Sequence, residues 1–197
     1  MKKIVTCFIV MLLSAQFCMA ESHQSGEDWF RKGKQFFAAK NYHDAIDAFT
    51  NTIKLNPKHA KAYNNRGAAY NNLGHYEQAL VDYDRAIVLN TKNAKFYHNR
   101  GATHYNLYHF EQAIKDFDQS IALDAEDVNL YVDRGIAYDR ISNYDMAIAN
   151  MKRAARLGNQ QAKNYLSRHG IVAPGNGGKR SLGINSFTKK KRANRTP

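Results

Sequence analysis

Cysteine is scarce in this chain, and both cysteines, Cys7 and Cys18, lie within the first twenty residues. Once that segment is removed, the chain has no thiol, which excludes disulfide bonds and cysteine chemistry from the rest of the protein. Acidic residues are missing from the segment after Gly170. A basic run without acids buries little apolar surface, which excludes an independent core for that end of the chain.

The first twenty residues have the layout of a bacterial-type signal peptide. Two lysines precede the apolar run 4–17, and Ala20 is a small residue suited to cleavage. The run is short for a membrane span, and Phe17 before Cys18 does not fit a lipoprotein signal. We expect residues 1–20 to be cleaved and the mature protein to be exported, either to the periplasm or as a secreted protein. An uncleaved membrane anchor and an apolar cytosolic start are the alternatives.

The last segment, residues 170–197, is rich in glycine and then in lysine and arginine, and we expect it to be disordered. Its basic residues are Lys179, Arg180, Lys189, Lys190, Lys191, Arg192 and Arg195. They supply most of the formal net charge of +12, since residues 21–170 contain 20 basic and 17 acidic residues. Such a tail could bind nucleic acid, lipopolysaccharide or anionic lipid through salt-sensitive attraction. Phe187 is the only aromatic residue there, so recognition by base stacking is poorly supported.

Between these ends, several residue types recur together with a period of 34. The period is marked by four glycines, Gly33, Gly67, Gly101 and Gly135. A large aromatic residue stands four positions before each glycine, and an alanine stands twelve after it: Trp29, Tyr63, Tyr97, Tyr131 and Ala45, Ala79, Ala113, Ala147. Residues three and four apart share one face of a helix. The pattern predicts helices that approach closely at the small residues, with aromatic rings filling the gaps between units.

The pattern resembles the tetratricopeptide repeat family, whose motif is W-x2-L-G-x2-Y…A-x3-F…P. There are two departures. A basic residue replaces the leucine before each glycine, and Pro57 is the one closing proline that remains. The resemblance covers residues 26–161, as repeats 26–59, 60–93, 94–127 and 128–161. It implies an all-α fold, a right-handed α-solenoid of four helix-turn-helix pairs.

We predict the helix pairs from the phase of the pattern within each repeat. The pairs are 26–39 with 43–56, 60–73 with 76–89, 94–107 with 110–123, and 128–141 with 144–157. An amphipathic segment at 159–169 is expected to form an extra helix that covers the last repeat, because terminal units of a solenoid need a polar outer face.

No catalytic constellation is visible, and we predict a protein without enzymatic activity and without a cofactor. His98, His104 and His109 cluster in the third repeat, but spacings of six and five do not bring three ligands to one helical face. We interpret them as packed and surface histidines rather than a metal site. The recurring arginines and the aspartates of the second helices are expected to form ion pairs between helices: Arg66, Arg100 and Arg134 with Asp82 and Asp116.

The concave face of the solenoid is the predicted binding site. In the tetratricopeptide family this groove is lined by the first helix of each pair, and amides there can pair with the backbone of an extended peptide. The resemblance places these residues in the groove: Arg31, Lys34, Phe37, Lys61, Asn64, Asn65, Asn71, Asn72, Lys95, His98, Asn99, Tyr105, Asn106, Asn129, Asp133, Asp139 and Arg140. Asn65 and Asn99 are equivalent residues 34 apart, which resembles the asparagine ladder of peptide-binding members.

Three functions therefore compete. We favour an interaction scaffold that binds a protein or peptide partner of the cell envelope in the groove. The alternatives are binding of an anionic polymer or membrane surface through the tail, and an enzyme on a helical scaffold. Lys34, Asn65 and Lys95 fall on positions of the clamp by which some members grip the C-terminus of chaperones. Phe30 and Asn99 replace further basic residues of that clamp, so a generic acidic or C-terminal peptide fits better.

Overall fold

A computed structural model describes residues 24–173. The predicted signal peptide and all the basic residues of the tail lie outside this range. Within it there are nine α-helices and no strand, and none of these helices is long and apolar enough to cross a membrane. The helices are α1 (Gly26–Ala38), α2 (Tyr42–Leu55), α3 (Ala60–Asn72), α4 (Tyr76–Leu89), α5 (Ala94–Asn106), α6 (Phe110–Leu123), α7 (Val128–Arg140), α8 (Tyr144–Arg156) and α9 (Gln160–Arg168).

Each predicted helix pair is present, with ends that differ from the prediction by one residue at most. The turn inside each pair is built in the same way, with one residue in the left-handed region: Lys40, Gly74, Tyr108 and Ser142. In the first turn the backbone N–H of Asn41 donates to the carbonyl of Phe36 at 2.9 Å, and that of Lys40 donates to Phe37. These two bonds satisfy the free carbonyls at the end of α1 and reverse the chain, so α2 packs back against α1.

The repeated glycines allow the two helices of each pair to approach closely. A Cβ atom added at Gly33 would lie 2.5 Å from the ring of Phe49, and one at Gly101 would lie 2.9 Å from the ring of Phe117. These distances are far below a van der Waals contact, so neither position has room for a side chain. The prediction that small residues mark close helix contacts is confirmed.

The core runs along the stack as a series of clusters centred on one large side chain per repeat. Phe49, Tyr83, Phe117 and Met151 hold the equivalent place and are at most 1% exposed. The last helix, α9, buries Ala162 and Leu166 against the fourth repeat. It therefore covers the apolar end of the solenoid, as the amphipathic pattern at 159–169 predicted.

Each arginine that directly precedes a repeated glycine binds polar side chains of two neighbouring second helices, at least one of which is an aspartate, and we call this set the arginine ladder. Arg66 donates from Nε and Nη2 to Asp82 at 2.8 and 2.7 Å, and from Nη1 to Thr50 at 3.1 Å. Arg100 binds Asp116 and Asp84 in the same register. The hydrogen bond to Asp82 raises the pKa of Arg66, whereas burial raises the pKa of Asp82 against the pull of Arg66.

The ladder changes at both ends of the stack. Arg134 was predicted to pair with a carboxylate, and it does so with Asp118, while Asn150 holds the place of the buried aspartate and accepts from Arg134 Nε at 2.9 Å. In the first repeat Lys32 stands at the arginine position, and its Nζ lies 5.0 Å from the ring centroid of Trp29. The ladder therefore joins repeats one to four through three arginines.

Candidate functional site: the concave face

The first helices form the inner face of the stack. Neighbouring first helices, α1 with α3, α3 with α5, and α5 with α7, approach one another more closely than neighbouring second helices do. The stack therefore curves, and the residues predicted for the groove share its concave side.

Many polar side chains on this face bond to one another between neighbouring repeats. The amide nitrogen of Asn99 donates to Asn64 Oδ1 at 2.9 Å, and Arg140 Nε donates to the hydroxyl of Tyr105 at 2.8 Å. His98 Nε2 lies 2.8 Å from Asp133 Oδ2. The partners in each pair are 35 residues apart. The packing of one first helix on the next places equivalent faces side by side with an offset of one residue.

These pairs correct part of the sequence-based site. Asn64 was predicted to be solvent-facing, but it is 8% exposed, and its amide nitrogen donates to Asn65 Oδ1 at 3.2 Å. Asn71 is likewise engaged, since its Oδ1 accepts from Thr103 Oγ1 at 2.9 Å. His98 and Asp133 were predicted as separate contacts for a ligand, yet they form a pair with each other. Because the first helices approach closely, these side chains form hydrogen bonds with one another and are not free for a ligand.

The N-terminal half of the face holds a basic depression with a volume of about 420 Å³. Its lining contains six of the predicted residues, Lys34, Phe37, Asn64, Asn65, Lys95 and Asn99, together with Phe49 and Ala68. The side chains of Lys34 and Lys95 are exposed at its rim. No carboxylate among residues 24–173 lies within 4 Å of either lysine.

Two further depressions follow toward the C-terminal side. The middle one is lined by Ala102, Tyr105, Asn106, Phe117, Asp133 and Ile136. The other lies at the turn edge of the groove and is lined by Tyr76, Tyr105, Asn106, Tyr108, Phe110 and Arg140. Sequence reasoning missed Tyr76, Tyr108 and Phe110 because it considered only first helices. An aromatic residue begins every second helix, and this recurrence in the sequence could have predicted aromatic side chains at the edge of the groove: Tyr42, Tyr76, Phe110 and Tyr144.

Seven of the predicted residues do not line these depressions: Arg31, Lys61, Asn71, Asn72, His98, Asn129 and Asp139. Arg31 pairs with Asp28 one turn earlier on α1, with 2.6 Å between Nη2 and Oδ1. Lys61 is exposed in the first turn of α3. The part of Arg31 and Lys61 in binding stays a prediction.

The rings of His104 and His109 in the third repeat have centroids 5.9 Å apart, whereas His98 pairs with Asp133. His104 occupies a core aromatic position, its Nδ1 is buried without a hydrogen-bond partner, and desolvation lowers its pKa. His109 is exposed at the start of α6. Within the described residues there is no group of three or more potential ligands that could hold a metal ion.

Comparison with known families agrees with this architecture. Two family models, both described as tetratricopeptide repeat, match residues 60–93 and 94–127. These are the second and third repeats, and the helix pairs on either side repeat their fold and spacing. Residues 60–127 are therefore tetratricopeptide repeats. Proteins of this family are typically scaffolds without enzymatic activity.

Solved structures share the fold of this chain. MamA aligns with a TM-score of 0.68 at 24% identity, covering 75% of this chain and 86% of MamA. The first tetratricopeptide domain of Spaghetti (RPAP3), in a structure with the HSP90 peptide SRMEEVD, aligns with a TM-score of 0.59 at 26% identity, covering 60% of this chain and 94% of that domain.

Sequence relatives match over a shorter stretch. Hsp70-Hsp90 organizing protein 2 of Arabidopsis thaliana is 45% identical over 49 residues, which is 25% of this chain and 9% of the relative. Hsp70-Hsp90 organizing protein 1 of Glycine max is 49% identical over 43 residues, which is 22% of this chain and 8% of the relative. The match thus spans less than a tenth of these relatives.

Proposed function

We propose that this chain is an adaptor without enzymatic activity that holds an extended acidic segment of a partner protein in the basic depression. The observation that carries the proposal is the pair Lys34 and Lys95, two exposed cations without a carboxylate partner among the described residues. They line the same depression as the partly exposed residues Asn65 and Asn99. An acidic side chain or a terminal carboxylate would accept charge-assisted hydrogen bonds from both lysines.

Size and polarity support a peptide end as the occupant. The depression has a volume within the range of small-ligand sites, about 300–1,000 Å³. Its floor contains Phe37 and Ala68, which offer contact area for an apolar side chain next to the carboxylate. The similarity to a domain solved with an HSP90 peptide favours the same mode of binding here, although Phe30 replaces a basic residue of the chaperone clamp.

The test measures fluorescence anisotropy of labelled SRMEEVD peptide, as the free acid and as the C-terminal amide, at low and high salt. The double variant Lys34→Ala/Lys95→Ala should weaken binding of the free acid by about tenfold or more, because hydrogen bonds to charged groups contribute about 1.5–3 kcal/mol. The loss should be largest at low salt, where screening is weakest.

The matched control is Lys54→Ala/Lys115→Ala, which removes two exposed lysines from second helices. Equal loss in both double variants would show that the depression does not bind a carboxylate. Equal affinity for the acid and the amide would show that it does not bind the terminal carboxylate. Asparagine variants would confuse binding with stability, because Asn65 and Asn99 both bond to buried Asn64.

We also propose export of the mature protein, so that the partner belongs to the cell envelope. Support comes from the sequence of residues 1–20 alone. Intact mass measurement after expression in a bacterium should give a chain that begins at Glu21 in the periplasmic fraction. An intact Met1 in the cytosolic fraction would contradict export.

A further inference from the structure

The turn between α5 and α6 holds an aromatic side chain under backbone strain. Tyr108 has φ +62° and is 79% exposed. The equivalent turn positions hold Lys40, Gly74 and Ser142. A bulky residue in the left-handed region is disfavoured, and the exposed ring of Tyr108 gains little burial in return. Strain of this kind at an exposed residue points to a role in binding.

Tyr108 belongs to a group of rings at one edge of the groove, which we call the aromatic rim: Tyr76, Tyr105, Tyr108 and Phe110. The ring centroids of Tyr105 and Phe110 are 5.3 Å apart, and those of Tyr108 and Phe110 are 6.1 Å apart at a nearly perpendicular angle. These rings are in contact with one another, and beside them lies an open slot of about 280 Å³. Arg140 flanks this slot and donates to the hydroxyl of Tyr105 at 2.8 Å.

The aromatic rim is continuous with the basic depression along α5. Lys95 and Asn99 line the basic depression, Ala102 lines the middle one, and Tyr105 and Asn106 line both the middle depression and the rim. A helix rises about 1.5 Å per residue, so Tyr105 stands about 9 Å beyond Asn99 and about 15 Å beyond Lys95 along the axis. An extended peptide covers that distance with about three to five residues.

We propose that the aromatic rim is a second subsite of the groove, which holds a large apolar side chain of the bound peptide. That side chain lies three to five residues before the carboxyl end seated at Lys34 and Lys95, so the inference rests on the proposed function. The path between the subsites admits an acidic peptide, because Asp133, the acid in the middle depression, is already paired with His98. Arg140 adds a positive charge at the far end.

The test uses labelled nine-residue peptides of serine and glutamate with a free carboxyl end. One tryptophan is placed two, four or seven residues before the end, and alanine replaces it in the reference peptide. The peptide with tryptophan at four should bind about two- to tenfold more tightly than the reference, as expected for a well-packed aromatic pair. The variant Tyr108→Gly should remove that gain, so that it binds the tryptophan and reference peptides with the same affinity.

Tyr108→Gly is a mild change for the fold, because glycine adopts positive φ readily. Its Tm should equal or exceed that of the parent protein. The matched control is Ser142→Gly, the same turn position in the fourth repeat, which should keep the full gain from tryptophan.

The outcomes separate the two proposals. A gain that persists in Tyr108→Gly, or that is the same at all three tryptophan positions, overturns the second subsite alone. If none of the peptides binds, or if Lys34→Ala/Lys95→Ala binds the reference peptide as the parent does, the proposed function fails and the second subsite fails with it.

Discussion

The arginine ladder and the concave face are two sets of polar residues on the same helices, and they differ in how they repeat. In the ladder, Arg66 and Arg100 bind Asp82 and Asp116 with the same atoms and nearly the same distances. On the concave face, the residue type at several equivalent positions changes along the stack. The position of Lys61 and Lys95, for instance, becomes Asn129 in the fourth repeat.

This difference indicates which polar residues serve the fold. A buried charge without its partner is costly, so each repeat that keeps the arginine must keep an acceptor beside it. An exposed side chain needs no partner within the protein. A groove that binds a specific ligand needs different side chains along its length. Regular repetition therefore marks the ladder as structural, and variation marks the groove as the recognition surface.

The largest expected effect tests the ladder. Asp116→Ala should lower the free energy of unfolding by about 2–4 kcal/mol, because it removes a nearly buried acceptor of two hydrogen bonds from Arg100. Urea denaturation measures this value. Asp118→Ala on the same helix is the control, since Asp118 is half exposed and its ion pair with Arg134 should contribute less than about 1 kcal/mol. Equal losses would remove the distinction between buried and exposed carboxylates within the ladder.

A smaller effect is expected where the two helices of a pair touch. Ala113→Leu should lower the free energy of unfolding by about 1–3 kcal/mol, because Ala113 is fully buried and the larger side chain overpacks the contact. Ala122→Leu, at an exposed position of the same helix, should stay within about 0.5 kcal/mol of the parent. A tolerated Ala113→Leu would mean that the solenoid can open at the third repeat without loss.

On the concave face, Asn99→Ala should cost about 1 kcal/mol of stability, because it leaves buried Asn64 without its donor. Asn106→Ala should cost less, since Asn106 is exposed and its amide contacts Asn71 at only 3.4 Å. Thermal unfolding of both variants checks this order. The reverse order would show that the pairs between first helices contribute nothing to the stack.

The smallest effect concerns pH and His104. Its folded-state pKa is lowered by desolvation, although Asp116 opposes the shift, and Arg100 and His109 reinforce it. As the pH falls, the unfolded chain therefore takes up a proton at this histidine at a higher pH than the folded chain does. The contribution of His104 to the free energy of unfolding is fully present above the ordinary histidine pKa of about 6.5 and decreases as the pH drops below it. His104→Tyr, which restores the ring found at Tyr70 and Tyr138, should reduce the fall in Tm between pH 7.5 and pH 5. An unchanged difference would assign the pH dependence to other groups.

The fold was predictable because its signals are local and repeated. Each glycine, alanine and aromatic position appears four times in phase, so the helix bounds could be read to within a residue. The site was only partly predictable. Lys34, Asn65, Lys95 and Asn99 do line one depression, but the amide of Asn64 turned out to be buried. The exposure of a side chain depends on the angle between neighbouring helices, which a period of 34 does not specify.

The sequence by itself determined that this chain is a stack of helix pairs with close contacts at Gly33 and its equivalents, because the volume of each side chain limits how near two helices can come. Only the tertiary structure decided which polar groups remain available to a ligand. The offset between first helices joins residues 35 apart, which engages His98 and Asp133 with each other. Among residues 24–173 it leaves Lys34 and Lys95 without such a partner, because long lysine side chains on the open face reach solvent before they reach a neighbouring carboxylate.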